Sequence, residues 1–534
     1  MHYTLFQFLL LLTAVVMLIM LAQKLKIAYP LFLVIAGLLI SCIPHIPAIS
    51  INPELIFLIF LPPLLFEAAW YTSWNDFWKW RRPISLLSFG LVIFTSTIVA
   101  VLATAMIPGF TLPMGFLLGG IISPPDAIAA TSVLKNVKIP IRITTILEGE
   151  SLVNDASSLI VLRFALAAVL TGQFSFHEAV GTFIVVTFMG IFVGLAVANI
   201  MYAIHRYLPT TASIDSVFTL ISPYFMYLAA EQFHFSGVMA VVSGGLFLSY
   251  RSHEIFTNGQ SRLQVISVWS TLIIILNGLV FILIGLELPE IMNGMSGYSL
   301  PQAIKYSLAV SLVIMAIRMM WIYPATFIPR WLFKNIRKSE PAPGWKGSFI
   351  VGWAGMRGVV SLAAALSLPM FSSGGKPFPH RELIIFITFI VILVTLVFQG
   401  LTLPFIIKSL KITEIDPVTP DDQQLAGIQI RLAKVSLDWL HEKYPEECES
   451  NELIRGYKSE LEHMIAHASE TLRCISCGAS GKKEIDQYNK VLKDIYEQQR
   501  KTLYHLRKEK TFSDSMIRKE EKQVDLNETK ILVW

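Results

Sequence analysis

The sequence predicts an all-α polytopic membrane protein: about thirteen transmembrane helices in two inverted repeats with broken crossing helices, followed by a helical cytosolic tail. Three observations carry this expectation. Apolar types make up 54% of the 534 residues against 15% charged, with a mean hydropathy of +0.59. Apolar runs long enough, as helix, to cross about 30 Å of hydrocarbon recur from the N-terminus to Ile407. Beyond Ile407 the composition turns to Lys, Glu, Asp and Gln, with apolar residues at helical spacing.

The first six spans are expected at roughly 5–21, 27–42, 53–70, 84–107, 112–133 and 143–170. The other seven are expected at roughly 179–204, 214–230, 235–248, 266–286, 304–328, 349–371 and 383–407. No basic segment precedes the first run and no small-residue cleavage site follows it, so it reads as a retained span and not a signal peptide. The second and ninth are short for a full crossing. Loop charge gives an independent check on the count. Taking alternate loops together collects Lys24, Lys79, Arg82, Arg142, Arg206, Arg251, Arg330 and Lys346 with other basic residues on one side, and leaves only Lys305, Lys376 and Arg381 on the other. The positive-inside rule then puts the N-terminus outside and the C-terminus in the cytoplasm of a cell whose inner membrane holds the chain.

An ionisable side chain at membrane depth costs at least about 2.5 to 3.5 kcal/mol on insertion scales, so it is kept where it faces protein, water or a transported ion. In the sixth span, LEGESLVNDASSLIVL spaces Glu148, Ser151, Asp155 and Ser158 by three and four residues, one polar stripe on a helix. Glu150 and Asn154 project from a neighbouring face. The fifth span carries Asp126 in GGIISPPDAIAATSVL, where Pro124 and Pro125 remove two backbone donors and break the helix near mid-depth. Half-helix ends and freed carbonyls are tolerated where they line a cavity, and they suit a small cation. Arg318 lies within the eleventh span and Arg357 in the glycine-interrupted twelfth, VGWAGMRGVVSL. The proline break is in the fifth of spans one to six and the glycine break in the fifth of spans eight to thirteen. That is the placing expected of a secondary transporter whose substrate site lies where the breaks meet.

These segments, with FLPPLLFEAAW in the third span and GMRGVVSLAAALSL in the twelfth, resemble the electroneutral sodium/proton exchanger family in its bacterial form over roughly residues 1–410. The Glu-x-Glu-Ser-x-x-Asn-Asp run, paired with an Asp in a broken helix, is the most specific part. The resemblance implies a transmembrane antiporter domain over 1–410; the tail lies outside it, and the change of composition sets off 411–534 as a cytosolic regulatory tail. The resemblance further implies that an ion-binding core of spans four to six and eleven to thirteen moves against a dimerising part of spans one to three and seven to ten. It implies Asp155 as the carboxylate that binds ion or proton, Asn154 beside it, Ser151 as a ligand and Asp126 as a second carboxylate in the crossing. Glu150 and Arg318 fall where the family has a buried ion pair, which alone is reason enough to keep them, and Arg357 where an arginine offsets the negative charge of the crossing. Many relatives read Thr-Asp-Pro at the break; here Pro125-Asp126-Ala127 stands, so residue 125 can offer only its carbonyl.

The expected function is exchange of Na+, with Li+ or K+ as alternatives that the sequence leaves open, for H+ at Asp155. No cofactor is expected, and the partners are membrane lipids and a second copy, not nucleic acid. Glu148 is expected near the cytoplasmic mouth, whereas Glu67, Arg163, Glu231 and Glu287 are left outside the site. A cation channel would need a filter-like pore span, and an intramembrane hydrolase a nucleophile with a base or HExxH ligands; the spans carry neither pattern. The cysteines Cys42, Cys448, Cys474 and Cys477 are too few for a disulfide framework. In the tail, His463 and His467 one turn apart and the Cys474-x-x-Cys477 pair form a candidate tetrahedral zinc site, against the plainer reading of a solvated helix and a turn.

Overall fold

Lipid offers the backbone no hydrogen-bond partners, so each apolar segment must satisfy its own, and in the computed structural model every expected span is occupied by a helix or a broken pair of helices. The structure describes residues 2–41, 43, 53–134, 139–172, 176–256, 258–294, 298–339, 344–372, 377–412, 421–476, 479–509 and 512–532.

The first helices are α1 (His2–Leu25), α2 (Tyr29–Ser41), α3 (Pro53–Tyr71) and α4 (Arg81–Met106). The fifth span is split into α5a (Leu112–Ile122) and α5b (Ala127–Leu134), and α6 (Ile141–Thr171) follows. Then come α7 (Phe176–Tyr207), α8 (Ala212–Gln232), α9 (Gly237–Tyr250), α10 (Gly259–Leu286) and α11 (Leu300–Leu332). The twelfth span is split into α12a (Gly344–Trp353) and α12b (Val359–Leu366), and α13 (Arg381–Leu410) closes the apolar part. Among the described residues eight helices are long and apolar enough to cross a membrane, and α2, α9 and part of α3 are shorter apolar helices.

Where helices come closest, small residues make the contact, as expected when van der Waals packing must substitute for a hydrophobic driving force. A Cβ on Gly115 would stand 2.6 Å from the Ala100 backbone, and one on Gly119 2.6 Å from that of Ser96, so α5a lies directly on α4. Gly285 of α10 meets α2 in the same way, with Val34 O 2.5 Å and Leu38 N 2.6 Å from where its Cβ would be. Two π-helical turns interrupt long helices, Leu86–Leu91 in α4 and Thr395–Gln399 in α13. Such turns release carbonyls to other partners. In α4, Trp321 Nε1 donates to Leu86 O at 3.1 Å and the Ser157 hydroxyl donates to Ser88 O at 2.5 Å.

Among the described residues, α6 belongs to both of the buried apolar clusters that lie before the tail. Ile146 and Leu162 pack with α4, α5, α11, α12 and α13, and with residues of α1, α2 and α10. Leu152, Val153 and Ala156 pack instead with α3, α7, α8 and α9. The chain divides into one unit of Met1–Asp416 and another of Pro417–Trp534. The second consists of amphipathic helices, principally α14 (Asp421–Lys443), α15 (Glu452–Ser476), α16 (Ala479–Glu509) and α17 (Asp514–Leu532). Within it Leu503 packs on Ile517 and Val524, and Arg500 pairs with Asp525 at 2.9 Å and with Glu528.

The α2–α10 contact has no room for a side chain. Gly285→Val is expected to lower the stability of the membrane unit by about 1–3 kcal/mol, read as a fall in melting temperature in detergent; an unchanged melting temperature would refute the close approach.

Candidate ion-binding site

The two broken helices cross each other. The peptide N–H of Asp126 donates to Met356 O at 2.7 Å, joining the gap between α5a and α5b to the gap between α12a and α12b. Breaking a helix exposes unpaired carbonyls at one end and unpaired N–H groups at the other. The carbonyl ends are met by Arg357, which is 1% exposed. Its Nε donates to Ile122 O at 3.0 Å and its Nη2 to Ser123 O at 3.4 Å, at the end of α5a, and Nη1 donates to Gly355 O, just past α12a. The N–H ends are met by Asp126. Its Oδ1 accepts from Ile128 N at 2.8 Å and from Ala129 N at 3.5 Å, capping α5b. Its other oxygen lies where a Cβ on Gly358, the N-cap of α12b, would collide with it. The carboxylate thus sits at the starts of two half-helices, and only glycine at 358 permits that approach.

The long helix α6 lies beside this crossing and is tied to it twice. Asn154 Nδ2 donates to Pro125 O at 3.1 Å, and the peptide N–H of Ala127 donates to Ser151 Oγ at 3.1 Å. Lone pairs on Pro125 O and Ser151 Oγ are left over after these bonds. Asp155 is 7% exposed and borders a cavity of about 620 Å³. Among the described residues no protein group donates to its side chain. The cavity also touches Asp126, Pro125, Ser151 and Ser361. From there it widens past Thr144 and the exposed Glu148 toward the start of α6. Its opposite wall comes from α2, α3 and α10, through Tyr29, Glu67 and Asn277.

Glu150 faces away from this cavity. Its oxygens accept from Arg318 Nη1 at 2.5 Å and Nη2 at 2.7 Å, with both side chains 1% exposed, and Arg318 also donates from Nη2 to Val351 O at 3.1 Å. Gly355 makes room for it, since a Cβ there would strike the Arg318 side chain. A polar stripe, a crossing of half-helices and a water-accessible carboxylate are therefore assembled in one place.

The profile of the sodium/hydrogen exchanger transmembrane family matches residues 11–409. The chain belongs to that family. The chain is 31% identical over 531 residues to a protein of Mycobacterium tuberculosis described as an uncharacterized Na(+)/H(+) exchanger, covering 98% of this chain and 95% of that one. It is 35% identical over 399 residues to a sodium, potassium, lithium and rubidium/H(+) antiporter of Bacillus pumilus, covering 71% of this chain and 58% of that relative, so it spans little more than half of the latter's length. Its fold is similar to that of the sodium proton antiporter MjNhaP1 from Methanocaldococcus jannaschii, with a TM-score of 0.58 and 21% identity over 73% of this chain and 97% of that one.

Glu67, which the sequence leaves outside the candidate site, borders the cavity through α3; its one sequence signal is the FLPPLLFEAAW segment. Arg163 and Glu231, also left out, form a pair at 2.6 Å between α6 and α8. In the tail, His463, His467 and Cys474 of the candidate zinc set lie within the described residues. Among the described residues no three His, Cys, Asp or Glu side chains come together as metal ligands, and Cys477 lies outside those residues. The rings of His467 and Tyr488 pack at a tilt with centroids 5.1 Å apart, and the Cys474 thiol donates to Glu484 Oε2 at 3.4 Å, both contacts joining α15 to α16.

Removing one member of a buried pair strands the other. Arg318→Ala is expected to cost about 3–5 kcal/mol, and adding Glu150→Gln should recover part of the lost melting temperature. A double variant as unstable as the sum of the two singles would contradict the pairing.

Proposed function

We propose that the exchanger is a secondary active transporter that moves Na+, and Li+ with it, against H+ across the cell membrane, one cation for one proton. The observation that carries this reading is Asp155: a carboxylate at mid-helix, open to a cavity, with no protein donor among the described residues to claim it. Hard alkali cations prefer oxygen ligands. Asp155, Ser151, Asp126 and the Pro125 carbonyl supply them, while the Asn154 amide holds that carbonyl in place. One carboxylate can hold a proton or a cation but not both, and this exclusivity couples two gradients without ATP. Arg357 balances the carbonyl ends, Glu150 and Arg318 brace the core, and Glu148 lines the approach.

The same reading has α4–α6 and α11–α13 move as an ion-carrying core against a scaffold of α1–α3 and α7–α10 that pairs with a second copy. The cavity's two walls support it: α5b, α6 and α12b on one side, α2, α3 and α10 on the other. Loop charges put the N-terminus outside and the tail in the cytoplasm, where it would regulate the transport domain. Exchange of K+ is the second reading, favoured by the cation range in the printed name of the Bacillus pumilus relative.

Asp155→Asn is expected to reduce cation-driven proton movement in proteoliposomes to the level of protein-free vesicles while the protein still inserts and melts normally; near-normal exchange would sink the assignment. Asp126→Asn should lower exchange severely. Running the assay with Na+, Li+ and K+ in turn decides the cation.

The stoichiometry rests on Asn154, where a second carboxylate would add a titrating charge and an amide does not. A field acts at about 2.3 kcal/mol per charge per 100 mV on any net charge moved. With vesicles clamped by valinomycin, the pH gradient at which net Na+ flux reverses should therefore be the same at zero and at strongly negative potential. A large shift would mean more than one proton per cation.

A further inference from the structure

A second cavity, of about 220 Å³, opens at the end of the bundle that the loop charges place in the cytoplasm. It lies within the membrane unit and away from Asp155. Arg82 at the start of α4, Arg142 at the start of α6, Lys346 in the first turn of α12a and Lys411 just after α13 line it, and no carboxylate does among the described residues. A lining that gathers four cations around one space attracts an anion. They are held in place by their own contacts. The Arg142 guanidinium stacks over Trp80 at 4.1 Å, and Lys346 Nζ donates to Leu410 O at 2.8 Å, one of its three N–H bonds.

Two helices of more than eight residues also begin at this cavity. The N-cap of α6 is Pro140, which has no side-chain acceptor, and α12a begins at Gly344; the positive ends of both dipoles add to the charge. The walls are also apolar, from Leu87, Ile146 and Val351, each four or five residues further into its helix than the cation there, and from Ile322 of α11. Trp345, 56% exposed, stands at the rim, the residue type enriched at membrane interfaces. At Gly347 a Cβ would meet only Ile143 Cδ1, at 3.9 Å, so the space above the backbone is open.

We propose that this cavity binds the headgroup phosphate of an anionic phospholipid of the cytoplasmic leaflet. Free phosphate would satisfy the cations but leave the apolar walls uncovered; a glycerophospholipid presents its phosphate and glycerol to the one and the start of an acyl chain to the other. Basic cavities between transmembrane helices on this side of a membrane suit such ligands. The bound lipid would fasten the ends of α4, α6, α12a and α13 together, and so stabilise the helices that carry the candidate ion site without touching it.

The test uses the delipidated full chain in neutral detergent, titrated with phosphatidylglycerol, phosphatidylcholine or inorganic phosphate, with binding followed by native mass spectrometry and melting temperature. Phosphatidylglycerol is expected to bind and raise the melting temperature, and the other two are not. The pair Lys346→Gln and Lys411→Gln should weaken binding on the order of 10- to 30-fold. Gly347→Leu keeps every charge, fills the open space and improves helix propensity; it should block the lipid while the lipid-free protein melts normally. A control pair outside the cavity, Arg330→Gln with Lys334→Gln, should bind like the parent. Equal binding of phosphatidylglycerol by the Gly347→Leu protein, equal loss in the control pair, or an equal response to inorganic phosphate would each overturn the proposal. None of these readouts depends on transport.

Discussion

The crossing of two interrupted helices at Asp126 and Met356 is the constraint on which the rest of the membrane unit depends. A helix break in a bilayer leaves polar backbone groups with no water to receive them. Here opposite charges answer opposite ends: a buried guanidinium on the carbonyls of Ile122, Ser123 and Gly355, and a carboxylate on the amides of Ile128 and Ala129. Neither charge would be tolerable without the breaks, and the breaks would be costly without the charges. Glycines make the room: Gly358 for Asp126 at the crossing, and Gly355 for the Arg318 side chain beside it.

Around this crossing α6 acts as the organiser. One face carries Ser151 and Asp155 to the cavity, another carries Glu150 to Arg318, and Ser157 bonds to the π-turn of α4. An interior ion pair gains less than its geometry suggests, because desolvation offsets the attraction. Its contribution is better seen as orientation: with Glu150 fixed, the helical phase of α6 is fixed, and Asp155 faces the cavity.

Much of this was legible in the sequence because its physics is local. The three- and four-residue spacing in LEGESLVNDASSLIVL and the prolines at 124 and 125 are violations of what a lipid-facing helix allows, and such violations mark function. What was illegible depends on which helix neighbours which. The resemblance puts Arg357 against the negative charge of the crossing, but which groups carry that charge needs the fold: its guanidinium donates to three carbonyls. Glu67 looked peripheral near a span end, but α3 leans over the cavity and brings it in. The basic cavity is scattered over four chain segments as ordinary positive-inside residues, and only the fold gathers Arg82, Arg142, Lys346 and Lys411. In the tail, spacing along one helix does not say what the next helix presents, and α16 presents Tyr488 to His467 and Glu484 to Cys474.

The bonds from Asn154 to Pro125 and from Ala127 to Ser151 have a further consequence. Every candidate oxygen for the ion belongs to α6 or to the crossing, and those elements are stitched to one another rather than to α2, α3 or α10. In the proposed movement, a displacement that carried them as a block would present the same ligand oxygens to either side, so the ligand set itself would favour neither direction. Direction would then be dictated by concentrations alone, and the protein would work equally well in reverse.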